Sequence, residues 1–207
     1  MSNKGILLFG GTFDPIHNGH LIIAESAAEK LGVEKVVLIP SANPPHKNHS
    51  SLTPIRHRLA MTRLAVAGNE LFEVSDCELK RDGPSFTFDT VRYFREQNGP
   101  NIPLYWLIGG DTIKELACWY KVEQLVDECT IVTAGRPNCD METGFGVFRG
   151  KLSDEQIARL KQFILETPLV DISATQIRSR IRRGQDISDL TPLAVQDYII
   201  ENKLYKT

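Results

Sequence analysis

Between residues 6 and 31 the chain changes its hydrophobic period. A short apolar run, Ile6-Leu7-Leu8-Phe9, has the character of a buried strand, whereas Leu21, Ile22, Ala24, Ala27, Ala28 and Leu31 recur at helical spacing. The segment joining them, Gly10-Gly11-Thr12-Phe13-Asp14-Pro15-Ile16-His17-Asn18-Gly19-His20, is therefore a β-to-α turn. Glycines in such a turn let the backbone approach a ligand closely, and the free N–H groups and dipole of the following helix favour an anion. His17 and His20 lie three residues apart where turn becomes helix, so both rings can present N–H donors to one bound phosphate group. A zinc site built from His17, His20 and Asp14 is disfavoured, because no further Cys or His cluster supplies a complete ligand set.

The same alternation continues along the chain. Val36-Val37-Leu38-Ile39-Pro40, Phe72-Glu73-Val74, Leu104-Tyr105-Trp106-Leu107-Ile108 and Thr130-Ile131-Val132-Thr133 read as strands. Helices are predicted from near Thr53-Pro54 and from about Phe88 to Gln97, the latter stopped by Asn98-Gly99-Pro100. This order predicts an α/β chain with a Rossmann-like, doubly wound parallel sheet, helices on both faces and a small helical C-terminal part. Ligands in such folds sit at the carboxyl ends of the strands. Gly144-Phe145-Gly146-Val147-Phe148-Arg149-Gly150-Lys151 resembles glycine-rich nucleotide loops only superficially, since Arg149 and Phe145 stand where glycines are required; it is expected to be a surface loop.

At 207 residues, 42% of them hydrophobic, the chain is expected to form one domain spanning 1–207. Its formal net charge of −2 gives no basic excess for nucleic acid, which points to small-molecule partners. Cys77, Cys118, Cys129 and Cys139 show no C-x-x-C pairing and are expected to be free thiols in a reducing cytoplasm. No apolar run is long enough to span a bilayer, and no signal-peptide pattern opens the chain, so a cytoplasmic protein without a membrane partner is expected.

A second segment, Ile172-Ser173-Ala174-Thr175-Gln176-Ile177-Arg178, combines a helix start with hydroxyls at Ser173 and Thr175 and a guanidinium one turn in. Taken alone it is equally a capping box, Ser173 with Gln176, ahead of a solvated basic face. As a helix N-terminus bearing Arg178 it is also a second anion site.

Both segments resemble the paired signatures of the nucleotidyltransferase superfamily. In that superfamily the two histidines contact a nucleoside triphosphate, which here implies roles for His17 and His20, and the second signature closes over the outer phosphates through Ser173, Thr175 and Arg178. Between them, Asn43-Pro44-Pro45-His46-Lys47, Gly83-Pro84-Ser85-Phe86-Thr87-Phe88-Asp89-Thr90, Ile108-Gly109-Gly110-Asp111 and Trp119-Tyr120 resemble the bacterial nicotinate-nucleotide adenylyltransferase family nearly from end to end. That resemblance implies adenylyl transfer from ATP, carried with Mg²⁺, to nicotinic acid mononucleotide, with His17, His20, Lys47 and Arg178 as the catalytic set. It assigns ATP to Gly10, Gly11, Thr12, Phe13, His17, His20, Asp111, Arg136, Ser173, Thr175 and Arg178. It assigns the mononucleotide to Asn43, Lys47, Thr87, Trp119 and Tyr120, with Trp119 and Tyr120 offering an aromatic face to the pyridine and Thr87 a donor near its carboxylate. Asp111 is expected to hold a ribose hydroxyl, orient the metal or cap the helix beginning at Thr112. No protein metal ligand set is expected. Transfer to phosphopantetheine or nicotinamide mononucleotide, cytidylyl transfer, and RNA binding through Arg178 to Arg183 are the alternatives.

Overall fold

The structure is a computed structural model that describes residues 4–45, 52–135 and 142–206. Among the described residues there are six strands: β1 (Ile6–Gly11), β2 (Lys35–Pro40), β3 (Phe72–Val74), β4 (Leu104–Gly109), β5 (Thr130–Gly135) and β6 (Ile164–Glu166). They are interleaved with α1 (Asn18–Leu31), α2 (Ile55–Ala65), α3 (Thr87–Asn98), α4 (Ile113–Leu116), α5 (Val122–Glu128), α6 (Asp154–Gln162), α7 (Ala174–Arg182) and α8 (Leu193–Glu201). The strands form one parallel sheet in the order β3-β2-β1-β4-β5-β6.

Near-continuous apolar strands are what a sheet covered on both faces requires, and alternate residues divide between those faces. Leu8, Val37, Ile39, Trp106, Ile108 and Ile131 pack in one cluster with Phe88, Val91 and Leu125. Their neighbours Leu7, Val36, Leu38, Leu107 and Val132 pack in the other, with Ala24, Ala27, Met61, Val195 and Ile199. Gly32 ends α1 at φ 65° and donates its N–H to the carbonyls of Ala28 and Glu29, a left-handed cap that suits glycine. Ser153 and Gln156 close a reciprocal box at the start of α6.

One expectation is corrected, and one element is added. The segment around Gly144 to Lys151 is not a surface loop: a 3₁₀ turn at Glu142–Phe148 buries Phe145 and Phe148 in the first cluster, so its aromatics serve the core. The sixth strand escapes a periodicity reading because β6 is only three residues long, at the sheet edge, and none of them is fully buried. Cys77, Cys118 and Cys129 are free, while Cys139 lies outside the described residues. Among the described residues, no helix is long and apolar enough to cross a membrane.

The strand order changes direction between β1 and β4, and crossovers leave on opposite sides there. That divergence opens a crevice at the carboxyl ends of the two central strands, where Gly10 and Gly11 end β1 and Gly109 ends β4.

Candidate nucleotide site

A cavity of about 800 Å³ fills this crevice. It is bordered by Gly10 to Asp14, His17 and His20 from the β1–α1 connection, by Asp111 beyond β4, and by Ser173, Thr175, Arg178 and Arg182 at α7. A second cavity of about 340 Å³ lies alongside, bordered by Thr87, Trp119, Tyr120, Phe86 and Glu78. Gly10, Gly11, Thr12, Asp111 and Thr112 border both, so the two hollows meet at the end of β1.

Close packing explains both glycines at the junction. A Cβ on Gly10 would come within 2.5 Å of the Trp106 ring, and one on Gly11 within 2.7 Å of Phe13. Phe13 is buried with φ 47°, a left-handed conformation uncommon for an aromatic residue. The loop is held in it from several directions. Arg58 of α2, itself buried, donates Nη1–H to the carbonyls of Thr12 (2.7 Å) and Ser41 (2.8 Å) and Nε–H to that of Thr53 (2.9 Å). Arg178 Nη1 donates to the Asp14 carbonyl (2.7 Å), and Nη2 to Thr175 Oγ1 (3.3 Å). The second helix start is thus tied directly to the β1–α1 loop. Ser173 Oγ accepts the Gln176 N–H (3.2 Å), which is the N-cap half of the expected capping box.

The imidazoles of His17 and His20 stack with centroids 3.6 Å apart, and the Phe13 ring meets His20 edge-on at 5.0 Å. His20 Nδ1 accepts the His17 N–H (3.3 Å), which leaves the His20 proton on Nε2 as a donor. His17 Nδ1 is buried without a partner among the described residues. Burial lowers the His17 pKa from 6.5 to about 4, and burial together with neighbouring His17 holds His20 well below 6.5. Both rings are neutral donors near pH 7, suited to hydrogen bonding an anion without first carrying charge.

This burial has a measurable consequence. The unfolded chain binds a proton on each ring as pH falls through 6.5, whereas folded His17 resists protonation down to about 4. Stability is therefore full above 6.5 and declines below it, by roughly 1.4 kcal/mol per pH unit for His17 alone. Urea denaturation at about pH 7 and about pH 5 should show the loss, and His17→Gln should make the decline shallower. An unchanged slope in that variant would show that other groups carry it.

The second cavity has an aromatic wall. Tyr120 stacks on Phe86 at 4.5 Å and 27°, and the Lys121 ammonium lies 5.1 Å from the Tyr120 ring centre and 4.9 Å from that of Phe88. Trp119 is half-buried, with part of its ring packed on the core and part on the cavity, so packing and pocket formation are one arrangement. Asn43 does not border either cavity among the described residues. Its Nδ2–H donates to the Gly83 carbonyl (3.1 Å) and its N–H to Ser85 Oγ (2.9 Å), which fixes the loop that carries Phe86 and Thr87. Asp111 does not cap a helix at Thr112; it sits in a 3₁₀ turn, exposed, bordering both cavities. Lys47 and Arg136 lie outside the described residues.

The sequence gives no local signal for Arg58 or Tyr205, which only the fold brings to the loop. Phe86 lies within the segment around Thr87, and Arg182 within the basic run of α7, where the pattern alone reads as a solvated face.

A doubly wound sheet whose switch point carries two converging helix starts offers an anion-directed ligand edge, as an α/β protein of the nucleotidyltransferase type requires. The sequence model of the cytidylyltransferase-like family matches residues 8–180. A protein of Clostridium tetani named "Probable nicotinate-nucleotide adenylyltransferase" is 39% identical over 206 residues, covering 100% of both chains. One of the same name from Moorella thermoacetica is 41% identical over 202 residues, covering 96% of this chain and 90% of its own. The chain belongs to the cytidylyltransferase-like family and, within it, to the nicotinate-nucleotide adenylyltransferases. The fold matches that of Plasmodium falciparum nicotinic acid mononucleotide adenylyltransferase complexed with NaAD, with a TM-score of 0.75 at 23% identity over 98% of this chain and 97% of that one.

Proposed function

We infer that the chain transfers the adenylyl group of ATP to nicotinic acid mononucleotide, giving deamido-NAD and pyrophosphate in NAD biosynthesis. The observation that carries this is the meeting of two cavities at Gly10, Gly11 and Thr12, one polar and reached by two helix N-termini, the other walled by aromatic rings. A triphosphate in the first and a pyridine mononucleotide in the second would bring their phosphates together at the end of β1.

The acceptor phosphate, with a second pKa of about 6, is already ionised near neutral pH and needs no general base. Its oxygen forms a bond to the α-phosphorus while the bond to the bridging oxygen breaks, and the electron pair leaves with pyrophosphate. His17 and His20 donate to the phosphate oxygens on which charge accumulates, and Ser173, Thr175 and Arg178 hold the outer phosphates. The family resemblance further assigns Lys47 to the phosphates and Arg136 to the adenosine half, both outside the described residues.

The donor set fits a divalent cation carried on the triphosphate, which we take to be Mg²⁺. Such a cation uses few protein carboxylates beside phosphate oxygens. Asp14 is engaged by Tyr205 and Thr53, which leaves Asp111 as the carboxylate bordering both cavities. Among the described residues no cluster of three or more His, Cys, Asp or Glu forms a protein cage. When bound, the cation would withdraw charge from the leaving pyrophosphate. We place the protein in the cytoplasm, with small-molecule substrates and no nucleic-acid or membrane partner.

Pyrophosphate release with ATP and Mg²⁺, comparing nicotinate mononucleotide, nicotinamide mononucleotide and phosphopantetheine, tests the reading, with products identified by mass. Turnover confined to another acceptor would overturn the pocket assignment; none with any acceptor would overturn the reaction. Trp119→Ala should raise KM for the mononucleotide by about tenfold and leave KM for ATP within about twofold. Equal changes in both constants would reduce Trp119 to a packing residue.

A further inference from the structure

Beyond α8 the backbone reverses twice, at Lys203 (φ 52°) and Tyr205 (φ 63°), both left-handed for residues other than glycine. The reversal is held by the Lys203 N–H on the Ile200 carbonyl (3.1 Å) and the Leu204 N–H on that of Ile199 (3.0 Å). Leu204 and Tyr205 pack against the cluster containing Leu7, Phe13 and Ile16. This turn delivers the Tyr205 hydroxyl beneath the β1–α1 loop, where it donates to Asp14 Oδ1 at 2.6 Å.

Asp14 is buried, and each of its oxygens has a task. Oδ1 accepts from Tyr205, Oδ2 accepts the Thr53 N–H (3.2 Å), and the backbone carbonyl accepts from Arg178 (2.7 Å). Its neighbour Phe13 holds a left-handed backbone that persists only where surrounding contacts enforce it. Arg58 holds Thr12 on one side of Phe13, and Tyr205 holds Asp14 on the other. Tyr205 borders neither cavity, so whatever it does for nucleotide binding it does through Asp14.

We propose that Tyr205 is a positioning residue for the triphosphate: its hydroxyl fixes the Asp14 carboxylate, and so the phosphate loop and the guanidinium of Arg178 that hangs from it. This rests on the nucleotide reading above but requires only that the larger cavity bind ATP. Hydrogen bonds to a buried carboxylate are among the stronger ones, and losing the donor leaves a charged oxygen unpaired.

The test is Tyr205→Phe, which keeps the ring packing. ATP affinity is measured by calorimetry with Mg²⁺, and steady-state constants are measured for both substrates, well below the melting temperature. ATP binding should weaken by about tenfold, while KM for nicotinate mononucleotide stays within about twofold. Asp14→Asn, which weakens the same bond from the acceptor side, should give the same selective loss, and the double variant should be no worse than the poorer single variant by more than about twofold. A lower melting temperature with unchanged ATP affinity would overturn the proposal, as would equal losses for both substrates or additive losses in the double variant. Should nicotinate mononucleotide prove not to be the acceptor, the calorimetric ATP constants still decide the role of Tyr205.

Discussion

Replacing His20 by alanine should lower kcat by about 100-fold or more while the fold stays intact. The size follows from where the imidazole sits. Its Nδ1 is occupied by the His17 N–H, so its remaining proton is on Nε2. The ring is held between the His17 ring and the edges of Phe9 and Phe13, which leaves it little freedom to reorient during reaction. A neutral donor fixed in a partly dry site binds ground-state phosphate modestly and the transition state more strongly, since charge builds on the phosphoryl oxygens as the bridging bond breaks. The loss should therefore fall on kcat more than on KM for ATP. His20→Gln offers an N–H on a longer, freer chain and should recover only part of the rate. Single-turnover measurement of pyrophosphate release separates this from slow product release, and circular dichroism checks the fold. A near-normal rate for His20→Ala would remove the proposed role.

The features legible in the sequence are those in which one short segment carries its own physical signal. The period change around Gly10-Gly11 identified β1 and α1, and the apolar runs identified β2, β4 and β5 to within a residue or two at their ends. From the alternation of these elements the sheet type followed, and with it the edge where the ligand-bordering residues gather. What sequence did not reveal depends on tertiary contact. Phe145 and Phe148 sit among glycines and look like loop residues, and their burial comes only from the elements that fold over them. Arg58 is an ordinary basic residue on a helix by pattern, yet its side chain is buried and three backbone carbonyls claim its guanidinium. Tyr205 meets Asp14 across most of the length of the chain. Asn43 lies within a family segment, and only the fold shows that its amide also braces the neighbouring loop. Motifs thus reported the residues bordering the cavities better than those bracing the loops around them.

Arg178→Ala should have an effect at least as large, lowering kcat/KM for ATP by roughly 1000-fold. Three functions converge on this guanidinium. Nη1 donates to the Asp14 carbonyl, Nη2 to Thr175 Oγ1, and the rest of the group borders the larger cavity on the side of the helix start at Ser173. Alanine removes a positive charge from the phosphates and also cuts the link between the two phosphate-directed segments, so binding and rate should both suffer. Lysine separates the two contributions. It restores the charge, but an ammonium on a flexible stem cannot occupy the carbonyl, the hydroxyl and a phosphate oxygen in one plane as a guanidinium does. Arg178→Lys should therefore regain about tenfold over alanine and no more. Arg182, one turn further along α7 and bordering the same cavity, lacks the tie to Asp14, so Arg182→Ala should cost well under the Arg178 loss. Steady-state kinetics across the three variants, with ATP varied at saturating acceptor, provide the comparison. Full rescue by lysine would mean that charge alone matters and that the bond to Asp14 is incidental; comparable losses at both arginines would mean that the cavity senses its summed positive charge rather than a fixed fork.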